Sequence, residues 1–157
     1  MEKADDKDRA IISYITDNAR ASTSEIARKT GLPRDSVHYR IERMKKKGII
    51  KMFHTFVDHH KIGYPIYIYV NVELHNFTEK DEQKLLSYLL QDSHVSHIAK
   101  MTGRWDMLIA IVAKDLEHFD DVLRNIRREF SSIIKDYSTS TIIKEYKFDN
   151  FSDLVGK

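Results

Sequence analysis

Apolar residues recur at helical spacing in three short blocks along the first third of the chain. The first block covers residues 5–18. The second covers 23–29, after a Ser22–Glu25 capping box in which side chains accept the unpaired N–H groups of the first turn. The third begins at Pro33, whose missing N–H costs nothing in a first helical turn. Its inward stripe consists of Val37, Ile41 and Met44, at spacings of four and three.

A turn that contains Gly31 joins the second and third blocks, and glycine suits the left-handed conformation that commonly ends a helix. Two helices joined in this way, the second with a basic outer face, predict a helix-turn-helix.

Gly48 ends the third helix. Residues 49–57 are predicted to form a β hairpin or ribbon, which is the natural place for a wing, and residues 61–63 are predicted to form a linker.

After the linker the pattern changes to alternating strands and amphipathic helices. Strands are predicted over 65–74, 94–101, 106–113 and 133–148, and the two helices begin after Thr78 and Asp115. The order βαββαβ predicts a ferredoxin-like α+β domain, with an antiparallel sheet and both helices on one face. The chain therefore divides into a winged helix-turn-helix over 1–60 and a ferredoxin-like domain over 61–157.

Positive charge is concentrated on the third helix. The whole chain carries only +2, but residues 34–51 hold seven basic and two acidic residues, a net +5. A duplex-DNA partner needs such a local patch, although a solvated helix face would give the same composition.

The composition excludes several classes of protein. There is no cysteine, which removes disulfides, thiolate metal sites and cysteine nucleophiles together. No apolar run reaches the roughly 18 residues that cross a bilayer, and the charged N-terminus is unlike a signal peptide. We expect a cytoplasmic protein that does not contact a membrane.

With the apolar stripe of the third helix facing inward, its other side chains divide into two predicted groups. Base contacts are predicted for Asp35, Ser36 and Tyr39, with Arg34 and His38 behind them. Phosphate contacts are predicted for Arg40, Arg43 and Lys46, and for Thr23 and Ser24 through backbone N–H groups. Arg43 is expected on the far side of the helix from the stripe, whereas Arg40 has the alternative of pairing with Asp8 or Glu25 inside the domain.

Motifs across both halves resemble the Lrp/AsnC family of transcription regulators. The motifs are Asp8–Ile12, Asn18–Ser22, Gly31–Ile41, Gly48–Ile50, Gly103–Asp106 and Thr139–Ile143. Two departures are visible: Pro33 stands where the family has a capping Ser, and Asp58-His59-His60 replaces its Asp-Pro pair.

The resemblance implies DNA binding, a homodimer built on the C-terminal sheet, and further assembly to a tetramer or octamer. It also implies an amino acid or related effector at Gly103, Arg104, Trp105 and Asp106. There, Asp106 would meet an ammonium group, Arg104 a carboxylate, and Trp105 would form an apolar wall. The alternative is a plain hairpin in which Asp106 accepts turn N–H groups.

The competing prediction is enzymatic. Sirohaem decarboxylases resemble this family in both domains, and His94 and His97 lie near Arg104 in sequence. A sensor that acts through mixed oligomers is a third possibility. His59 and His60 are expected to diverge, and His94 and His97 to face opposite sides of a strand. We therefore predict no metal site, no cofactor and no catalytic residue.

Overall fold

The computed structural model describes residues 3–147 and Leu154. The described chain forms two compact units. The first comprises the residues up to Phe56 together with Tyr146 and Lys147, and the second spans Val57–Glu145. Each unit has its own hydrophobic core.

The first unit contains three helices, α1 (Asp6–Asp17), α2 (Thr23–Thr30) and α3 (Arg34–Lys46). Asp5 and Ser22 form capping boxes at the starts of α1 and α2. The α3 helix begins after Pro33 without a side-chain cap, as the departure at that position predicts. Gly31 ends α2 at φ 69°, a left-handed conformation that glycine adopts at no steric cost.

The predicted inward stripe of α3 is confirmed. Val37 and Met44 are fully buried against the side chains of α1 and α2, and Ile41 packs beside them. Their partners in this core are Ile11, Ile15 and Ile26.

The predicted hairpin over 49–57 is wrong, because the described chain has no strand between Lys47 and Pro65. Residues 49–57 contain no glycine, asparagine, aspartate or proline with which to form a tight turn. Several of its apolar side chains are exposed, namely Met52, Phe53, Phe56 and Val57. A two-stranded hairpin that packs against no other element is only marginally stable in water.

The second unit has the predicted βαββαβ order and the ferredoxin-like fold. Its elements are β1 (Ile66–Leu74), α4 (Glu79–Gln91), β2 (Val95–Lys100), β3 (Met107–Ala113), α5 (Leu116–Glu129) and β4 (Ile134–Thr141). The sheet order is β2-β3-β1-β4, with every neighbouring pair antiparallel. The last strand is shorter than the predicted 133–148 because its antiparallel partner β1 begins at Ile66, opposite the end of β4. Thr141 pairs with Ile68, and residue 148 lies outside the described residues.

One face of the sheet carries the core. Alternate residues of β1, from Ile68 to Leu74, are buried with Leu85 and Leu89 of α4. Val122, Leu123 and Ile126 of α5 complete this layer. Three apolar residues of these helices are exposed: Leu86, Leu90 and Leu116. The opposite face of the sheet receives no helix from its own unit.

None of the helices in the described chain is long and apolar enough to cross a membrane.

Adjacent leucines on α4 provide a matched test of this core. Leu89 is fully buried, whereas Leu90 is 69% exposed. We expect Leu89→Ala to lower the free energy of unfolding by about 2–5 kcal/mol through lost transfer energy and a residual cavity. Leu90→Ala should change it by less than about 0.5 kcal/mol. The measurement is urea denaturation followed by the fluorescence of Trp105, which lies in this unit, and equal effects would contradict the assigned packing.

Candidate nucleic-acid interface and effector region

The outer face of α3 presents most of the residues predicted to contact DNA. Tyr39 is 66% exposed, and Ser36 is half-buried beside it. Four further predicted residues of α3 are exposed: Arg34, Asp35, His38 and Lys46. On α2, Ser24 is exposed and Thr23 is half-buried at the first turn. A helix with this exposed mixture of hydroxyl, aromatic and basic groups has the chemistry needed to read base edges and hold phosphates.

A buried carboxylate joins α3 to α1. Asp8 is fully buried, and its Oδ1 accepts a hydrogen bond from Nη1 of Arg40 at 2.8 Å. Its Oδ2 accepts a short bond from Nη2 of Arg43. Arg40 also donates to both carboxylate oxygens of Asp5, at 2.8 and 2.7 Å. Two arginines from one helix therefore converge on two aspartates at the start of another.

These contacts shift the titration of the exposed partner. The hydrogen bond from Arg40 lowers the pKa of Asp5 from 3.8 to about 2, with the backbone N–H of Asp8 as the next cause. The same bonds, to Asp5 first and to Asp8 second, raise the pKa of Arg40. Both shifts favour the ionised forms of Asp5 and Arg40, so this pair stays charged at neutral pH.

The expected position of Arg43 needs correction. Its guanidinium turns back onto Asp8 instead of pointing away from the stripe, and its side chain is only 25% exposed. Arg40 forms the alternative contact predicted for it: its guanidinium pairs with Asp8 and not with Glu25. A long side chain at the flank of the stripe can reach an anion that a helical projection places out of range.

Apart from Arg34 at its first position, the remaining basic residues of α3 lie toward its C-terminal end. Lys45 pairs with Glu42 at 2.9 Å, and this hydrogen bond lowers the pKa of Glu42. Lys45, Lys46 and Lys47 are all exposed. This run supplies the surface charge that Arg40 and Arg43 do not.

In the second unit, the turn between β2 and β3 is already tied to its own sheet. Gly103 has φ 109°, a left-handed value that explains the glycine. The Oδ2 of Asp106 accepts the backbone N–H of Leu74 at 2.7 Å, and its own N–H donates to the carbonyl of Val72. These bonds continue the β1–β3 ladder beyond its last pair, Val72–Met107.

Arg104 and Trp105 contact each other at this turn. The guanidinium of Arg104 lies 4.6 Å from the centroid of the Trp105 ring and 3.7 Å from a carboxylate oxygen of Asp136. Arg104 is nonetheless exposed. The four residues predicted to bind an effector thus lie together in this turn. One carboxylate oxygen of Asp106, however, already accepts a backbone hydrogen bond from Leu74.

A cavity of about 270 Å³ lies between α4 and the β2–β3 edge of the sheet. Its lining residues are Glu79, Glu82, Gln83, Leu86, Ile98, Lys100 and Met107. Among these residues, Nζ of Lys100 donates to Oε1 of Glu82 at 2.6 Å. No sequence motif indicated this cavity, because its walls come from three elements that only the fold brings together.

The histidines do not behave as expected. The rings of His59 and His60 stack at 4.4 Å instead of diverging, since they lie in a turn and not in an extended segment. A register shift between Val95 and His97 interrupts the alternation expected for His94 and His97. His94 contacts Asp92 and the ring of His118. Within the described part of the chain, no group of three or more potential ligands could hold a metal ion.

The uncovered face of the sheet is largely apolar at its centre. Tyr67 and Tyr69 of β1 lie on it, with their rings 5.5 Å apart. Leu108 and Val112 of β3 lie beside them, on either side of the buried Ala110.

Each of the two units matches a known protein family. Residues 5–51 match a winged helix-turn-helix DNA-binding family, and residues 67–150 match the Lrp/AsnC ligand-binding domain. An HTH-type transcriptional regulator of Mycobacterium tuberculosis is 32% identical over 143 residues, which cover 91% of this chain and 93% of the relative.

Solved structures share the whole fold. LrpC of B. subtilis superposes with a TM-score of 0.76 at 25% identity, over 93% of this chain and 99% of that one. A transcriptional regulator from Neisseria meningitidis, solved in complex with L-Met, gives a TM-score of 0.81 at 17% identity, over 93% and 94%.

A helix-turn-helix whose second helix has an exposed outer face, followed by a ferredoxin-like domain that matches a ligand-binding family, defines a DNA-binding transcription regulator. The chain belongs to the Lrp/AsnC family of these regulators.

The buried Asp8 gives a direct test of the contact between α1 and α3. We expect Asp8→Asn to lower the free energy of unfolding by about 3–5 kcal/mol, because two partly buried guanidinium groups lose their shared anion. Asp6→Asn, at an exposed neighbouring position in the first turn, should cost no more than about 1 kcal/mol. Urea denaturation followed by far-UV circular dichroism measures both. Similar losses in the two variants would show that the network does not stabilise the unit.

Proposed function

We propose that this protein is a cytoplasmic, sequence-specific DNA-binding regulator that responds to an amino acid or related small molecule. Residues 1–60 would form its DNA-binding domain, and residues 61–157 its effector-binding and oligomerisation domain. The observation that carries the proposal is the exposed outer face of α3, with Tyr39 at its centre and the lysines 45–47 at its end.

In this proposal, α3 enters the major groove with its N-terminal half against the base edges. Asp35, Ser36 and Tyr39 would read bases, with Arg34 and His38 behind them. Lys46 and its lysine neighbours would hold phosphates, and the first turn of α2, at Thr23 and Ser24, would donate backbone N–H groups to the same strand. Arg40 and Arg43 would act mainly by holding α3 in position through Asp8.

One such helix makes few contacts, so tight binding requires a second copy. We propose a homodimer whose contact is the uncovered face of the sheet, including Tyr67, Leu108 and Val112. Burial of this apolar surface supplies the association energy. The two-fold symmetry of this dimer would then place its two recognition helices on successive half-sites of the DNA. Further assembly to a tetramer or octamer would extend the same arrangement.

The effector would bind in the second domain near the Gly103–Asp106 turn. A regulator with the same fold has been solved with L-Met, and the domain match itself is to a ligand-binding family. An effector alters DNA binding only through unequal affinity for two states of the assembly.

Two substitutions on α3 test which residues read bases and which bind phosphates. Tyr39→Ala should change the preferred base sequence, whereas Lys46→Ala should weaken binding to all sequences about equally and reduce the salt dependence. We would select bound sequences from random duplexes and then measure affinity by fluorescence anisotropy between about 50 and 200 mM salt. Uniform loss in both variants would contradict the assigned faces, and salt-independent binding would contradict DNA recognition by this surface.

The sheet contact is tested by one charge on the central strand. Leu108→Asp in the full chain should weaken dimerisation by about 100-fold or more, because an unpaired carboxylate would be buried. Leu116→Asp introduces the same charge at an exposed leucine of α5 and should leave association unchanged. Sedimentation velocity over a concentration series measures both. A dimer unaffected by Leu108→Asp would mean that the contact lies on another surface.

A further inference from the structure

We propose that His59 is a positioning residue for DNA binding. Its imidazole clamps the linker turn, residues 58–64, against strand β1, and so limits how far the DNA-binding unit can move on its linker. The clamp itself is independent of the proposed homodimer, whereas its effect on paired DNA half-sites rests on that dimer.

The linker turn is a folded element. Three backbone hydrogen bonds close it, from Lys61 to Asp58, from Gly63 to His60 and from Tyr64 to His59, at 3.0, 3.2 and 3.0 Å. Residues 57–64 contain no proline, so a ring-fixed φ angle occurs only at Pro65. The backbone bonds shape the turn, but they do not attach it to the sheet.

His59 makes this attachment. Its Nδ1 lies 2.7 Å from the carbonyl oxygen of Tyr64. Because a carbonyl oxygen can only accept, Nδ1 carries the hydrogen and donates it. The same imidazole stacks on the ring of Tyr67 in β1, with centroids 5.3 Å apart and an interplanar angle of 28°. One half-buried side chain therefore joins the end of the turn to the strand that follows it.

The stack continues in both directions. The ring of His60 stacks on His59 at 4.4 Å, and the ring of Tyr69 meets Tyr67 edge-on at 5.5 Å. Both geometries are favourable for aromatic pairs beyond the area that they bury. The four rings form a row from the linker turn to the uncovered face of the sheet, so the turn and that face belong to one surface.

The charged groups of the turn do not provide an alternative clamp. Asp58 and Lys61 pair with each other at 3.7 Å, and both side chains are exposed. Such an ion pair contributes little to stability in water. The attachment of the turn to the sheet therefore depends mainly on the imidazole of His59.

A clamped linker matters when two recognition helices must bind together. The second unit begins at Val57, and β1 begins at Ile66. A linker fixed at its sheet end allows fewer positions of the attached unit than a free chain of the same length. In a dimer, this stiffness sets the effective concentration of the second recognition helix at its half-site. A second copy packed on Tyr67 would also cover the base of the stack and keep His59 in place.

Hydrogen exchange of the full chain, followed by mass spectrometry, tests the clamp. In His59→Ala, exchange in peptides that cover 58–64 should be faster by about 10-fold or more, because the turn opens more often. His59→Phe keeps the aromatic ring but not the bond to Tyr64, so its exchange should fall between those of wild type and His59→Ala. His97→Ala, at an exposed histidine of β2, should exchange as wild type does.

Half-site spacing tests the positioning role. Lengthening the separation of paired half-sites by two base pairs moves one of them by about 7 Å and rotates it by about 70°. Wild type should lose about 10-fold in affinity, whereas His59→Ala should lose less than about 3-fold, because its linker adapts. Both proteins should bind a single half-site equally. Sedimentation shows whether the variant remains dimeric, and circular dichroism shows whether it is folded.

Each outcome decides one level of the proposal. Equal exchange in wild type and His59→Ala would overturn the clamp. Faster exchange with an unchanged spacing preference would overturn the positioning role, and so would a loss of dimers in His59→Ala, since His59 would then be a contact residue. If wild type itself shows no preference for paired half-sites, the proposed homodimer on DNA and the positioning role both fail, while the exchange result still decides whether the clamp exists.

Discussion

The carboxylate of Asp8, buried between α1 and α3, determines where the recognition helix points. An ionised group out of contact with water is costly unless it is paired and hydrogen-bonded, and Arg40 and Arg43 provide both. Both arginines come from α3 and are one helical turn apart, so they stabilise the rotation of α3 that buries the stripe Val37, Ile41 and Met44. With that stripe facing inward, Tyr39 is exposed.

This arrangement changes the electrostatics of the reading face. Residues 34–51 carry a net +5, but two of those charges are compensated by Asp5 and Asp8. The charge available to phosphates is therefore shifted toward Lys45, Lys46 and Lys47 at the end of the helix. The N-terminal half of α3 is left less positive, because Asp35 follows Arg34 and Arg40 is paired with Asp5 and Asp8.

The sequence predicts the helices, their caps and the strand order because each depends on neighbours within a few residues. Ser22 and Glu25, Thr78 and Asp81, and the stripe from Val37 to Met44 are of this kind. The contacts of Arg43 with Asp8 and of Lys100 with Glu82 join residues far apart in the chain, so no local pattern reveals them. Residues 49–57 fail as a hairpin for a related reason: their β-branched and aromatic composition indicates a strand, but composition alone does not determine strand pairing.

The two faces of the sheet in the second unit differ in what covers them. One face packs against α4 and α5, whereas the other receives no helix from its own unit and is apolar at its centre, where Tyr67 and Leu108 lie. Burial of that centre by a second copy would be favourable, because it would remove apolar surface from water. An effector that binds one state of association more tightly than another would shift the population toward that state, and α3 would need no change in its own structure.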